Sequence, residues 1–191
     1  MGENAGTVLI VAGAVLLVAL LWIALTYNRF VRLRQHIRES WSDIDVELKR
    51  RYELIPNLVE TVKGYAAYER ETLEQVVKLR NRAMNNEGSA ASQAVDESEL
   101  LRGLKQLFAL AEAYPDLKAD ESYLRLQREL ALTEDRIAAA RRFFNGNVRD
   151  MNILREGFPT NIVGRLFRFE PGTFFELDDE AERVVPRVDQ D

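Results

Sequence analysis

The chain has 191 residues, with 26 Lys and Arg against 31 Asp and Glu, a net charge of −5, no cysteine and a single histidine, His36. Thiolate nucleophiles, disulfides, zinc fingers, haem thiolate ligation and iron–sulfur clusters therefore lack their ligands, and one histidine cannot supply the paired Glu-x-x-His motifs of a helical di-iron site. No catalytic residue, metal or cofactor is expected, and the acidic balance speaks against a nucleic-acid module, which needs a basic face over a whole domain.

Residues 7–26 are an unbroken run of twenty uncharged, mostly apolar residues, and no ionisable side chain lies between Glu3 and Arg29. At about 1.5 Å per residue the run makes a helix roughly 30 Å long, the thickness of a bilayer's hydrocarbon core. A cleaved signal peptide would carry a basic amino-terminal region, a shorter apolar stretch and small residues at its cleavage site. Residues 1–6 contain no Lys or Arg, and bulky side chains flank Ala24-Leu25-Thr26. A buried core helix would need an equally apolar partner, which no later segment offers. The sequence predicts a short tail over residues 1–6 and a single transmembrane helix over residues 7–28. Arg29, Arg32, Arg34 and Arg38 follow at once, a bias that predicts a cytoplasmic soluble part. Trp22, Tyr27, Arg29, Arg32 and Arg34 read as interfacial anchors to membrane lipid.

Beyond the span the pattern is helical. From Phe30 a three-four spacing runs through Ile37, Trp41, Ile44, Leu48 and Ile55, so the first soluble helix is expected to continue directly out of the membrane. Glu47 and Arg51, one turn apart, are expected to pair on its outer face. Pro56 removes a backbone donor and disfavours helix at Ile55, which predicts a kink or restart. Leu58, Val59, Val62 and Tyr65 carry an apolar face past it, and Leu73, Val76, Val77, Arg80 and Met84 trace another, as one bent helix or two. Residues 85–98, NNEGSAASQAVDES, have the composition of a linker. Asp96 and Glu99 resemble a capping box, predicting a helix from there to Ala113, stopped by Tyr114-Pro115.

The strongest periodicity begins near Asp120. Tyr123, Leu130, Ile137, Phe144, Met151 and Phe158 recur every seven residues, with Leu126, Thr133, Ala140, Asn147 and Leu154 as a companion stripe. This long helix is expected to stop at Gly157-Phe158-Pro159. Asn145, Asn147 and Asn152 interrupt it. They could form a polar recognition site; fixing helix register is preferred, because no titratable partner recurs at matching spacing.

In the closing segment, residues 161–177, Phe167, Phe169, Phe174 and Phe175 stand beside Arg165 and Arg168, with a turn expected at Pro171-Gly172. These six residues are candidates for a partner-docking strip or membrane-surface contact. The alternative is that the aromatics fold back to cap the bundle. The acidic stretch over residues 176–182 is expected to be solvated.

The wording of the chain resembles the LemA family. The resemblance is carried by YNRFVRLRQHIRESWSDIDVELKRRYELIPNLVETVKGYAAYERETL after the span, by EAYPDLKADESYLRLQRELALTEDRIAAARRFFN in the second half, and by FPTNIVGRLFRFEPGTFFE near the end. It implies a bacterial single-pass membrane protein whose soluble part is a bundle of long antiparallel helices, in a family without an established biochemical activity. Two places depart from the family pattern. Phe144-Asn145 and Met151-Asn152 stand where Tyr-Asn pairs are usual, and the chain closes Val188-Asp189-Gln190-Asp191 where an apolar or aromatic residue commonly follows the valine.

Together these readings predict an all-α protein: an N-terminal transmembrane helix, an elongated antiparallel helical bundle over residues 29–160, and an aromatic and acidic tail over residues 161–191. The expected role is a non-catalytic interaction or scaffold protein of the bacterial plasma (inner) membrane. Its expected partners are membrane lipid and other envelope proteins or itself, with no nucleic acid and no small-molecule substrate. A regulatory subunit of a membrane enzyme such as a protease is the alternative. A carboxylate hydrolase built on Asp43, Asp45 and Glu47 is disfavoured, because side chains two apart point to different sides of a helix, and because a glycosidase needs two acids about 5 to 10 Å apart across a cleft.

Overall fold

The computed structural model describes residues 2–178, with side chains from residue 6 onward. The described residues form helices α1 (Gly2–Tyr65), α2 (Arg70–Met84), α3 (Ala90–Ala111), α4 (Pro115–Lys118), α5 (Glu121–Glu156) and α6 (Thr160–Leu166), followed by extended chain, with no strand among them. The chain divides into two compact units. Among the described residues, one comprises the chain up to Glu39 with Gly146–Gly172, the other Ser40–Asn145 with residues 173–178. Helices α1 and α5 each contribute to both.

In the first unit α1 begins as a helix long and apolar enough to cross a membrane. Every described side chain over residues 6–21 is exposed, as a lipid-facing surface requires when no protein partner covers it. Packing starts in the last turns of the apolar run. Phe30 joins Met151 and Leu154 of α5, Val163 of α6 and Phe169 in a buried cluster, against which Trp22, Ile23, Val31, Leu33 and Ile37 pack.

In the second unit the three-four stripe of α1 supplies Ile44, Leu48, Ile55, Leu58 and Val62 to a core completed by Leu73 and Val76 of α2, Leu100, Leu104 and Leu107 of α3, and Tyr123, Leu130 and Ile137 of α5. Helix α1 continues through Pro56 without restarting. Of the expected kink or restart, the restart does not occur, and the acceptor that the proline orphans is satisfied from another helix. A proline at position 56 leaves the Tyr52 carbonyl without its helical donor, and Arg80 of α2 donates its Nε–H to that oxygen at 3.0 Å. Ile55, Leu58 and Val59 on either side of it are buried in the core.

Three boundaries differ from expectation. The linker is only residues 85–89, because Ser89 caps α3 by accepting the Ser92 N–H at 3.2 Å, and Gln93, Ala94 and Ser98 are buried in the helix. Asp96 is therefore no cap; it lies within α3 and pairs with Arg82 at 2.8 Å. Helix α3 ends at Ala111, two residues before the expected stop. The start of α5 does follow the expected pattern, with Asp120 Oδ1 accepting the Tyr123 N–H at 2.9 Å, and the helix ends just before Gly157. Its heptad stripe is buried through Met151, but Phe158 falls beyond the helix and is 84% exposed.

Candidate functional site

The most enclosed polar cluster lies in the second unit. Arg51 is completely buried. It donates one guanidinium arm to Glu97 of α3 and the other to Glu134 of α5 at 2.6 Å, while its Nε–H is buried without an acceptor. Glu97 is also fully buried and accepts the Tyr52 hydroxyl and the Gln93 amide, the latter at 2.7 Å; Gln93 donates as well to the Ala83 carbonyl at 3.0 Å. Burial alone would lower the Arg51 pKa, but Glu134 and Glu97 outweigh it and hold the guanidinium above its usual range. Burial first, and Glu97 second, push the Tyr52 phenol above its ordinary value. With three donors directed at Glu97, this network is chemically a lock: α1, α3 and α5 each contribute one charge, so sliding any of them unpairs a buried ion.

The expected outer-face pair of Glu47 and Arg51 does not form. Arg51 sits three residues after Leu48 and four before Ile55, on the inward stripe itself, and Glu47 lies 3.8 Å from Arg136 instead. Asp45 pairs with Lys49 at 2.6 Å, so Asp45 and Glu47 serve separate ion pairs. The position of Arg51 in the three-four spacing was the signal for its burial. A charge at an apolar period is ordinarily turned outward, and only its partners on other helices allow it inside.

The closing segment is divided between interior and surface. Phe169 is buried and stacks on Phe30, with ring centroids 4.6 Å apart and planes 15° from parallel, and Phe175 is buried edge-on to Trp41 at 5.5 Å. These two cap the interior. Arg165, Phe167, Arg168 and Phe174 remain at the surface. Phe167 meets Tyr27 edge-on at 4.8 Å. Among the expected interfacial anchors, Arg29 and Arg32 are exposed, Trp22 is half-buried against the first unit's core, and Arg34 lies over the Phe169 ring at 5.5 Å, a cation–π contact.

The asparagines hold backbone. In the first unit Asn152 donates to the Gly172 carbonyl at 3.0 Å and accepts the Gly172 N–H at 2.8 Å. In the second, Asn145 makes the same reciprocal pair with Phe175, at 3.0 and 2.9 Å. A side-chain amide carries one donor and one acceptor side by side, so it pairs with an extended residue as a neighbouring strand would. Gly172 fits this approach because a Cβ there would come within 3.0 Å of Val148 Cγ1. Asn147 donates to the His36 carbonyl on α1 at 3.3 Å. Of these three, Asn147 bridges helix to helix, whereas Asn145 and Asn152 bind the returning extended chain. The expected acidic stretch is described only to Asp178, whose N–H bonds Ser98 Oγ at 3.1 Å and whose carboxylate lies 3.4 Å from Arg102. The rest of that stretch and the departure at residues 188–191 lie outside the described residues.

An apolar helix able to cross a membrane, continuing as a core helix of an all-α bundle that a C-terminal aromatic segment closes, defines a membrane-associated helical-bundle protein. The model of the LemA family matches residues 40–189, and the chain belongs to that family. It is 30% identical to the protein LemA of Metamycoplasma hominis, over 82% of this chain and 71% of that protein. It is also similar to the magnetosome protein MamQ of Magnetospirillum gryphiswaldense, at 22% identity over 88% of this chain and 72% of the relative. The magnetosome protein MamQ 2 of Paramagnetospirillum magneticum matches at 23%, over 81% and 66%.

Proposed function

We propose that this LemA-family chain is a non-catalytic interaction protein of the bacterial plasma membrane, anchored by α1, with its bundle on the cytoplasmic side binding other envelope proteins or further copies of itself. The observation that carries the reading is that one helix, α1, supplies both the lipid-facing stretch and core residues such as Phe30, Ile44 and Ile55. Anchor and binding body are thus one continuous element, which suits holding a partner at a membrane. The arginine bias after the span supports the cytoplasmic side. Several carboxylates bordering the bundle core are engaged in helix-to-helix ion pairs, Glu97 and Glu134 with Arg51, Glu129 with Arg50, Asp96 and Glu99 with Arg82, which supports a structural rather than a catalytic use. The MamQ relatives are likewise named for the magnetosome and not for a reaction.

The test is photocrosslinking in the native membrane from exposed apolar positions of the bundle, Val95, Leu132 and Phe143. Discrete adducts with envelope proteins or with a second copy are expected. Absence of any adduct from all three positions at native expression would remove the support for an interaction role.

A further inference from the structure

We propose that the outer face of α6, with Phe158 before it and Phe167 after it, is a second membrane contact that lies in the lipid head-group region beside the end of the α1 span. This placement rests on α1 crossing the bilayer, as in the proposed function. Helix α6 has two faces of opposite use. Val163 and Gly164 turn inward, and Gly164 sits so close to α1 that a Cβ there would come within 3.2 Å of Phe30 Cζ. Ile162 and Leu166, one turn apart on the other face, are 56% and 66% exposed, and the flanking Phe158 and Phe167 are exposed as well. Water-facing surfaces seldom gather four large apolar side chains within ten residues without a partner to cover them.

Depth identifies the partner as lipid. The Phe167 ring rests against Tyr27 and, with Leu20, Ile23, Ala24 and Asn28, lines a groove of about 300 Å³. Leu20 and Ala24 belong to the apolar run, and Leu20 lies seven residues inside Tyr27, roughly 10 Å along the helix. If that run occupies hydrocarbon, Phe167 sits at the boundary, and Leu166 is joined to it by one peptide bond. The chain is held there by the end of α6. Arg168 has φ 54°, its N–H bonds the Arg165 carbonyl at 3.2 Å, and the Phe169 N–H bonds the Gly164 carbonyl at 2.9 Å. This Schellman turn sends Phe167 toward the span and Phe169 into the core. Arg165, on the apolar face, and Arg168, at the turn, place cations where phosphate head groups lie, a pattern of interfacial helices.

The absence of native cysteine allows single labelling sites. Full-length protein carrying Ile162→Cys or Leu166→Cys, labelled with an environment-sensitive fluorophore, is placed in vesicles of equal parts phosphatidylcholine and phosphatidylglycerol with acyl chains brominated near the head group. Leu17→Cys and Val46→Cys report the span and the bundle surface. Blue-shifted emission and loss of intensity are expected at Ile162 and Leu166, with water-like, unquenched emission at Val46 and protection at Leu17. Water-like emission at Ile162 and Leu166 with Leu17 protected would overturn the lipid contact and leave the anchor standing. Exposure of Leu17 itself would overturn both. Shielding of Leu166 in native membranes but not in vesicles would assign the face to a protein partner and overturn the proposal.

Discussion

The two units share the helices α1 and α5 and one way of holding the returning chain, and they differ in what the second unit adds. Beside the span the closing groups are neutral: the Phe30–Phe169 stack and the Asn152 amide on Gly172. Further along α1 the neutral closure recurs, Phe175 on Trp41 and the Asn145 amide on Phe175, and an ionic one joins it, Arg51 between Glu97 and Glu134. Aromatic rings and amides close a structure without taking ions out of water, a desolvation that costs several kcal/mol per ion. The ionic lock offers discrimination instead, since an unpaired buried charge penalises every wrong register. Both units thus fasten the returning segment, and the second also specifies a helix alignment.

The largest effect should come from dividing the ionic lock. Arg51→Ala is expected to cost about 3 to 5 kcal/mol by leaving Glu97 buried and unpaired, whereas Arg51→Met combined with Glu97→Leu should recover much of that loss. Denaturant titration of the detergent-solubilised protein measures both. A double variant as unstable as the single would show that charge compensation is not what the pair provides.

Alkaline pH should weaken the same unit. The folded values of Tyr52 and Tyr123 are raised, Tyr52 by burial and Glu97, Tyr123 by burial and Glu112 to about 12. Groups raised on folding contribute fully below their unfolded value, near 10, and lose that contribution as pH climbs through the folded value. The denaturation midpoint is expected to fall above about pH 10, less steeply in Tyr123→Phe. A midpoint independent of pH up to about 12 would contradict the linkage.

A smaller effect tests the passage of α1 through Pro56. Arg80→Met should cost about 1 to 3 kcal/mol by orphaning the Tyr52 carbonyl. Pro56→Ala restores the missing N–H, so the double variant should regain stability in thermal melts; a purely additive pair would break the assignment.

On the neutral side, Asn152→Ala removes two hydrogen bonds at a half-buried site, expected to cost about 1 to 2 kcal/mol. Hydrogen exchange at the Gly172 amide should quicken, with Asn145→Ala acting correspondingly at Phe175. Smallest is Arg168→Gly, which relieves the left-handed backbone and should change stability by less than about 1 kcal/mol, the relief being partly offset by greater freedom in the unfolded chain. A loss larger than that would mean the Arg168 side chain contributes more than its turn.

The sequence by itself determined the apolar span, the all-α class and the long heptad helix α5, because each is written in local composition or in a period that a helix repeats every few residues. It also marked the aromatic closing segment, but not which rings turn inward. That was decided by tertiary structure, through Phe30 and Trp41, more than a hundred residues earlier in the chain. The same holds for Arg51, whose place on the inward stripe was legible but whose partners Glu97 and Glu134 lie on other helices, and for Pro56, whose orphaned Tyr52 carbonyl finds its donor in an arginine on α2. A period reports which face of a helix turns inward; which donor meets which acceptor across that face depends on packing between distant segments, which no local pattern encodes.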